Sequence, residues 1–540
     1  MILFRFPSRI PFQSHRSRWL GVLIPLGFFV VGIFTLYDYG ATVDEWETLW
    51  GARAYANIFL SFFSGKGAYL WPFHALPGYY FVIDLYRYGV ARLFVGLVSG
   101  AGFTQGFHFA NLVLSSLSLF LIYRISILIS KSARTAVLST LALALMPQFI
   151  AHSQSNPKDL VALFGFTLGI FSVLNFQMTC TKRAFAFGCI GLGLAWTSTP
   201  FSILVVPLLA VWIFLFDQTH AKLWWKEYVL LLIGGSVMAF FFWPWLWSHP
   251  FWKLKSLISQ VSYFSFNIGE IYLGVIYKVH QLPWHYVSSH LLASVPVLFL
   301  IGFLLNLYWG IKRKTAPSEM IATVALALLW FGAGLAMSFQ SELKYNGMRH
   351  FLFVMPALSL LIGTGFEVLF NFFKARIAFI LIFSIYGYGV LQMVSMHPYE
   401  GAYLNEIVNW ALPGPAENYF SVEYFGQPYL EGSRWLSSHA EPESEIIVPI
   451  HRHVANIHLV KRSVSGSIER FKDTSQLRYL MYVVRRSQRT EQLQSIEKDY
   501  VPVFEIRRQK ATLLRIFKNT LRRPPTSIHE PDRKIPVYGQ

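Results

Sequence analysis

A chain of 540 residues that is 54% hydrophobic, 17% aromatic and only 14% charged is too poor in charge to be a string of soluble domains. Its formal charge of +18 is unevenly shared, because 20 of its 46 Lys and Arg residues follow residue 396. A basic tail tethered to apolar segments fits an anionic membrane surface or glycolipid, not nucleic acid. Two cysteines, Cys180 and Cys189, leave no disulfide framework and no CxxC metal signal.

The apolar residues fall into repeated blocks between short polar loops, the pattern of repeated bilayer crossing. They predict eleven spans, at residues 19–37, 107–129, 135–151, 160–178, 184–198, 200–216, 228–247, 287–309, 319–339, 350–370 and 377–395. The first follows Arg5, Arg9, Arg16 and Arg18; it is too long for a signal peptide and no small-residue cleavage site follows, so it reads as a retained anchor. With the N-terminus in the cytoplasm, Lys131 and Arg134, Lys182 and Arg183, Lys222 and Lys226, Lys312 to Lys314, and Lys374 and Arg376 all fall in cytoplasmic loops, as the positive-inside rule requires. An inner (cytoplasmic) membrane of bacterial type is the expected location, with the C-terminal domain outside it.

On this topology residues 38–106, the loop SQSNPKD, residues 248–286 and SELKYNGMRH share the outer face. Within the first, HALPGYYFVIDLYRYGVARLFVGLV predicts a helix lying in the interface with Asp84, Arg87 and Arg92 turned to water. The transmembrane module, residues 1–396, gives way to a small extracytoplasmic α/β domain over 397–520. There EIIVPI, YLMYVV, YVPVFEI and ATLLRIF read as strands and YLEGSRWLSSHA as a helix. Residues 521–540, rich in Pro and charge, predict disorder.

Three outer segments carry candidate chemistry. DYGATVDEWETLWGARAY holds Asp38, Asp44, Glu45 and Glu47. Asp44 lies seven residues beyond Tyr37, about 10 Å above the end of the first span if the helix continues, the depth of a lipid phosphate. A partly desolvated carboxylate flanked by cations can act as a base, although an interfacial helix would also carry such residues simply solvated. In SQSNPKD, Asn156 and Pro157 suit a helix start, and the same start aims backbone N–H groups and Lys158 at an anion; Asp159 marks the edge of an apolar span. In LKYNGMRH, Lys344, Arg349 and His350 lie on the face where the positive-inside rule does not want cations, which fits anion binding as well as snorkelling. His74 in WPFHALP and His285 in LPWHY are further substrate contacts, or merely hydrogen-bonded residues among aromatics. The sequence holds no spaced zinc set, P-loop or GxSxG elbow, and no cofactor is called for; the carboxylates admit a divalent metal without demanding one.

Together VDEWETLW, WPFHALP, PQFIAHSQSNPKD, LPWHYV, GMRHFLFVMPAL and HPYEGAYLNEIV resemble segments of the GT-C fold glycosyltransferases, in the bacterial protein O-mannosyltransferase and aminoarabinose transferase-like group, over about residues 19–440. The resemblance implies a polyprenyl-phosphate sugar as donor, a lipid, glycan or protein acceptor, and inversion of a hexosyl or pentosyl anomeric carbon. It implies Asp44 as general base and Glu45 as a holder of acceptor or donor; charge and topology add Lys158 and Arg349 as stabilisers of the departing phosphate. Ala75 stands where the group has proline after its histidine. The competing reading, a lipid or glycan flippase or transporter, would place ionisable residues near the midplane of discontinuous spans, whereas here they gather at one face.

Overall fold

The computed structural model describes residues 15–63, 81–218, 222, 225–247, 249–262, 268–312, 318–340, 344–459 and 464–522. Up to residue 396 the described residues are mainly helical: α1 (His15–Phe34), α2 (Val43–Phe63), α3 (Phe81–Leu97), α4 (Phe103–Ser130), α5 (Ala133–Ala144), α6 (Pro147–Ser155), α7 (Asp159–Thr179), α8 (Lys182–Ser198) and α9 (Val205–Phe216) come first. Then come α10 (Trp225–Phe242), α11 (Pro250–Ser262), α12 (Tyr286–Ser294), α13 (Val297–Lys312), α14 (Ser318–Gln340), α15 (Met355–Glu367), α16 (Leu369–Phe372) and α17 (Ala375–Met396).

Each of the eleven predicted spans lies on helix. Among the described residues six helical segments are long and apolar enough to cross a membrane, or up to eight if each of two bent pairs counts as one span. Predicted spans 19–37, 184–198 and 200–216 lie on shorter helices, the last two separated where Thr199 turns extended before Pro200. The bent pairs correct two further expectations. Pro147 breaks 135–151 into α5 and α6, which meet at 66°, and the break before Val297 bends α12 from α13 by 114°, so 287–309 is not one straight rod. Proline explains both breaks: Pro147 and Pro296 lack the N–H an uninterrupted helix needs. α4 and α7 form the buried spine, whereas α10 and α17 turn residues such as Phe241 (64% exposed) and Phe383 (80% exposed) outward. Apolar surface on that scale is stable only against lipid, so the chain is an integral membrane protein.

After α17 the chain forms α18 (Glu406–Ala411), α19 (Tyr429–His439), α20 (Arg452–His458) and α21 (Glu491–Asp499) around a five-stranded mixed sheet. An isolated hairpin, β1 (Gly269–Tyr272) and β2 (Val275–Lys278), precedes it in the chain. The sheet contains β3 (Glu445–Ile447), β4 (Val464–Ser465), β5 (Arg478–Val483), β6 (Tyr500–Arg508) and β7 (Ala511–Arg522), in the order β4-β3-β5-β7-β6. β3 runs parallel to β4 and β5, and β7 is antiparallel to β5 and β6. Ile446, Leu480, Met481, Leu514 and Ile516 are fully buried, and α19 stacks Trp435 on Phe504 (5.3 Å) over the same core. All four predicted strands and the predicted helix are present; β4 and the hairpin are additions.

A helix is present where the interfacial one was expected, as α3, but its polar groups do not all face water. Arg92 is exposed, whereas Asp84 and Arg87 are buried and paired at 3.1 Å. Burial lifts the Asp84 carboxyl to about 6 despite Arg87.

Candidate active site

α2 opens with Thr42-Val-Asp-Glu45, a capping box. Glu45 Oε2 accepts the Thr42 N–H (2.8 Å), and Thr42 Oγ1 accepts the Glu45 N–H (3.4 Å). Thr42 Oγ1 also donates to the Ser155 carbonyl (2.9 Å), pinning the start of α2 to the end of α6. Asp44, in the first turn, is thereby held beside the loop that follows Ser155.

In that loop Asn156 Oδ1 accepts the backbone N–H groups of Lys158 (3.0 Å) and Asp159 (2.9 Å), an Asx turn that starts α7. The turn aims Lys158 Nζ back at Asp44 Oδ1 (3.1 Å) and Glu47 Oε2 (2.8 Å). Asn156 Nδ2 donates to Asp159 Oδ2 (2.8 Å).

The third arm comes from the stretch before α15. Asn346 (φ 55°) and Gly347 (φ 70°) are consecutive left-handed residues, a conformation asparagine tolerates and glycine adopts freely. Gly347 N–H donates to Tyr286 Oη (2.9 Å), Tyr286 donates to Glu270 Oε1 (2.6 Å), and Arg485 Nη2 donates to Asn346 Oδ1 (2.6 Å). Fixed in this way by α12, the hairpin and the sheet region, the turn delivers Arg349, whose Nη1 donates to Asp44 Oδ2 (2.5 Å). Arg349 Nε lies 3.8 Å from Asp159 Oδ2, and His350 Nδ1 is 3.1 Å from Asp159 Oδ1.

The cluster is Asp44 between two cations, with Asp159, Asn156 and His350 holding the inner cation from behind. Asp44 and Arg349 are each 6% exposed. Burial alone would raise the Asp44 carboxyl, but Arg349 and then Lys158 outweigh it and hold it below the ordinary aspartate range. Burial works against the Lys158 ammonium, and Asp44 and Glu47 lift it above its usual value. At neutral pH the site therefore holds an ionised carboxylate with both oxygens engaged and two cations that an incoming anion can claim.

A loop of the C-terminal region closes over the cluster. Phe425 sets its ring 5.2 Å from the Arg349 guanidinium, with Tyr345 at 5.4 Å. The Phe425 carbonyl accepts the Val43 N–H (3.0 Å). Gly426, at φ 88°, completes a turn in which Glu423 Oε1 accepts the N–H groups of Phe425 (2.7 Å) and Gly426 (2.6 Å). Burial raises the Glu423 carboxyl to about 7 in spite of those donors. A folded value above the unfolded one favours folding with the proton on. Stability is then full below about pH 4.5 and falls by about 3 kcal/mol as pH rises through 7. Replacing Glu423 with Gln keeps an acceptor for both amides and should abolish that fall, so the melting temperatures of variant and parent draw apart between about pH 4.5 and 7 in thermal unfolding.

Of the residues singled out in the sequence, Asp44, Asn156, Lys158, Asp159, Arg349 and His350 converge. Glu45 does not join them: beyond its capping role, its Oε1 lies 2.7 Å from His108 Nε2. Lys344 Nζ donates to the carbonyls of Leu282 (3.2 Å) and Phe339 (3.5 Å), and His285 Nδ1 lies 2.7 Å from Tyr272 Oη. His74 lies outside the described residues. Glu47, singled out in the sequence only as one of the loop's carboxylates, lies one helical turn from Asp44 and pairs with the same ammonium. Tyr345, Phe425 and Arg485 carried no local signal. Nor did His451, which is near enough to Asp44 to sense its charge and which burial pulls down to about 4. Among the described residues no three His, Cys, Asp or Glu side chains converge to hold a metal ion.

No family model and no curated protein matches the chain. Among solved structures it is similar to ArnT from Cupriavidus metallidurans bound to undecaprenyl phosphate, at 13% identity and a TM-score of 0.45, over 93% of this chain and 98% of that one. It is also similar to the Archaeoglobus fulgidus oligosaccharyltransferase in the apo form, at 12% and 0.45, over 85% of this chain and 65% of that one. A third likeness, to the arabinofuranosyltransferase AftD from Mycobacteria, stands at 11% and 0.43, over 95% of this chain and 40% of that one. Overlap at this level assigns no residue a role, and what each residue does follows from the geometry of the cluster.

Proposed function

We propose that the chain is an inverting glycosyltransferase that moves a sugar from a polyprenyl phosphate to a hydroxyl-bearing lipid, glycan or protein at the outer face of the membrane. The observation that carries this reading is one buried carboxylate, Asp44, gripped by Lys158 and Arg349 from two other connecting segments at one end of the membrane helices. A donor whose tail stays in the bilayer presents its phosphate at the level where such a cluster sits.

The donor phosphate takes over the charge-assisted hydrogen bonds of Lys158 and Arg349. Asp44, relieved of its cations, regains proton affinity and accepts the proton of the acceptor hydroxyl. The hydroxyl oxygen forms a bond to the anomeric carbon from the face opposite the phosphate, the bond from that carbon to the phosphate oxygen breaks, and configuration inverts. Polyprenyl phosphate leaves with its charge balanced by Arg349 and Lys158. Asp159, Asn156 and His350 position Arg349 and stay out of the bond exchange. The membrane anchorage and the motif resemblance support the same reading.

The test is mass spectrometry of lipids, surface glycans and exported proteins from cells with and without the gene. A sugar-sized mass difference that is restored by the parent chain and not by the Asp44→Asn variant is the expected result. Transbilayer movement of a lipid with no new glycosidic bond would favour a flippase instead.

A further inference from the structure

A groove of about 580 Å³ lies between α1, the α5–α6 break and α17, and none of Asp44, Lys158 and Arg349 lines it. Its walls are apolar and open outward: Leu23 is 55%, Val31 63% and Val394 71% exposed on helices that face lipid. One end is polar. There Tyr39 Oη donates to Glu400 Oε1 (3.0 Å), His397 Nδ1 lies 3.0 Å from the same oxygen, and His397 Nε2 lies 3.1 Å from Asp38 Oδ2. Gln154 Nε2 donates to the Gly32 carbonyl and to Thr35 Oγ1, both at 3.3 Å.

Two oxygens at this end have no hydrogen-bond partner among the described residues: Glu400 Oε2 and Gln154 Oε1, on side chains 1% and 2% exposed. Both residues line the groove, and both oxygens are acceptors. Unpaired buried acceptors carry a desolvation penalty that a ligand with hydrogen-bond donors removes. The charged and titratable groups at this end are two carboxylates, Asp38 and Glu400, and the imidazole of His397, with the guanidinium groups of Arg434 and Arg508 close by. Arg434 and Arg508 approach only the backbone here, donating to the carbonyls of Tyr37 (3.0 Å) and His397 (3.3 Å). The unpaired groups at this end are acceptors, one of them a carboxylate oxygen, which a phosphate ester has no donor to satisfy and a neutral hydroxyl head would.

We propose that this groove is a binding site for an uncharged, hydroxyl-headed lipid, its chain lying along α1 and α17 and its hydroxyls donating to Glu400 and Gln154. The site is separate from the one that holds the phosphate-linked donor, and it stands whether or not the chain transfers sugar.

Photo-crosslinking of the full chain in phosphatidylcholine nanodiscs tests it, with a diazirine-bearing alkyl glucoside and a diazirine-bearing alkyl phosphate as probes. The glucoside should label peptides of α1 and α17 at least about tenfold more than the phosphate, the discrimination expected from hydrogen bonds to a charged acceptor. Gly27 lines the groove and has open space where a side chain would grow, so Gly27→Phe should fill it and abolish labelling without disturbing the fold. Glu400→Gln should weaken labelling less than Gly27→Phe and lessen the preference over the phosphate. Equal labelling by both probes, labelling that survives Gly27→Phe, or displacement of the glucoside by a polyprenyl phosphate would each overturn the assignment. The last outcome would make the groove part of the donor site and leave the proposed transfer reaction intact.

Discussion

Replacing Asp44 with Asn should reduce sugar transfer by about 10²- to 10⁴-fold, the usual worth of a positioned general base, while the chain still accumulates in the membrane. Asparagine keeps the size of the side chain and can still accept hydrogen bonds from Lys158 and Arg349, but it cannot take a proton. The two cations remain for the donor phosphate, so donor affinity should hold or improve while kcat falls, a split that loss of folding would not produce. The same substitution has a pH signature. In the parent, the Asp44 carboxyl is held below its unfolded value, so its contribution to stability is present above about pH 4 and is lost as pH falls through the folded value. The Asn variant should lack that acid limb in thermal unfolding measured against pH. An unchanged transfer rate in the variant would remove Asp44 from the mechanism.

Arg349 should be the most costly residue of the site to neutralise. Its guanidinium bridges two buried carboxylates, Asp44 at 2.5 Å and Asp159 at 3.8 Å. Arg349→Met leaves these near each other with less compensation, and breaking a buried pair in this way costs about 3–5 kcal/mol. Arg349→Lys restores the charge but not the planar fork, so this variant should fold and still lose most of its activity. Lys158→Met offers the contrast. Its side chain is 31% exposed and its pairing with Glu47 lies in solvent, so stability should change little while KM for the donor rises. Thermal unfolding in detergent together with donor kinetics on the three variants would separate scaffold from phosphate binding. Equal loss of stability in Lys158→Met and Arg349→Met would contradict the arrangement.

The converging residues were legible for different reasons. Asp159 stood out because an ionisable side chain at the edge of an apolar span is expensive, Arg349 as a cation on the face the positive-inside rule disfavours, and Asp44 and Lys158 because their loops fell on that same face once the spans were counted. Asn156 was recognisable from its place before Pro157 at a helix start. Glu45 carries the same charge as its neighbour and the same place in the loop, yet it closes a capping box and faces His108. One residue of helix rotation separates the two fates, and composition cannot measure that rotation. Lys344 stands in the same outer segment as Arg349, yet its ammonium donates to the carbonyls of Leu282 and Phe339, contacts that its charge alone does not foretell.

The sequence by itself determined that the chain lives in a membrane, roughly where its apolar helices lie, and four of the five strands of the C-terminal sheet. These follow from the length and period of apolar runs, which are local properties of the chain. Tertiary structure alone decided that α2 starts against α6, that the left-handed turn at Asn346 and Gly347 is braced by Tyr286 and Arg485, and that Phe425 lies over Arg349. It alone also decided that Glu400 and Gln154 end an apolar groove with acceptors unpaired. Each joins residues dozens to hundreds of positions apart, and the pairing is chosen by buried groups finding hydrogen-bond and charge partners in space, a condition no local pattern encodes.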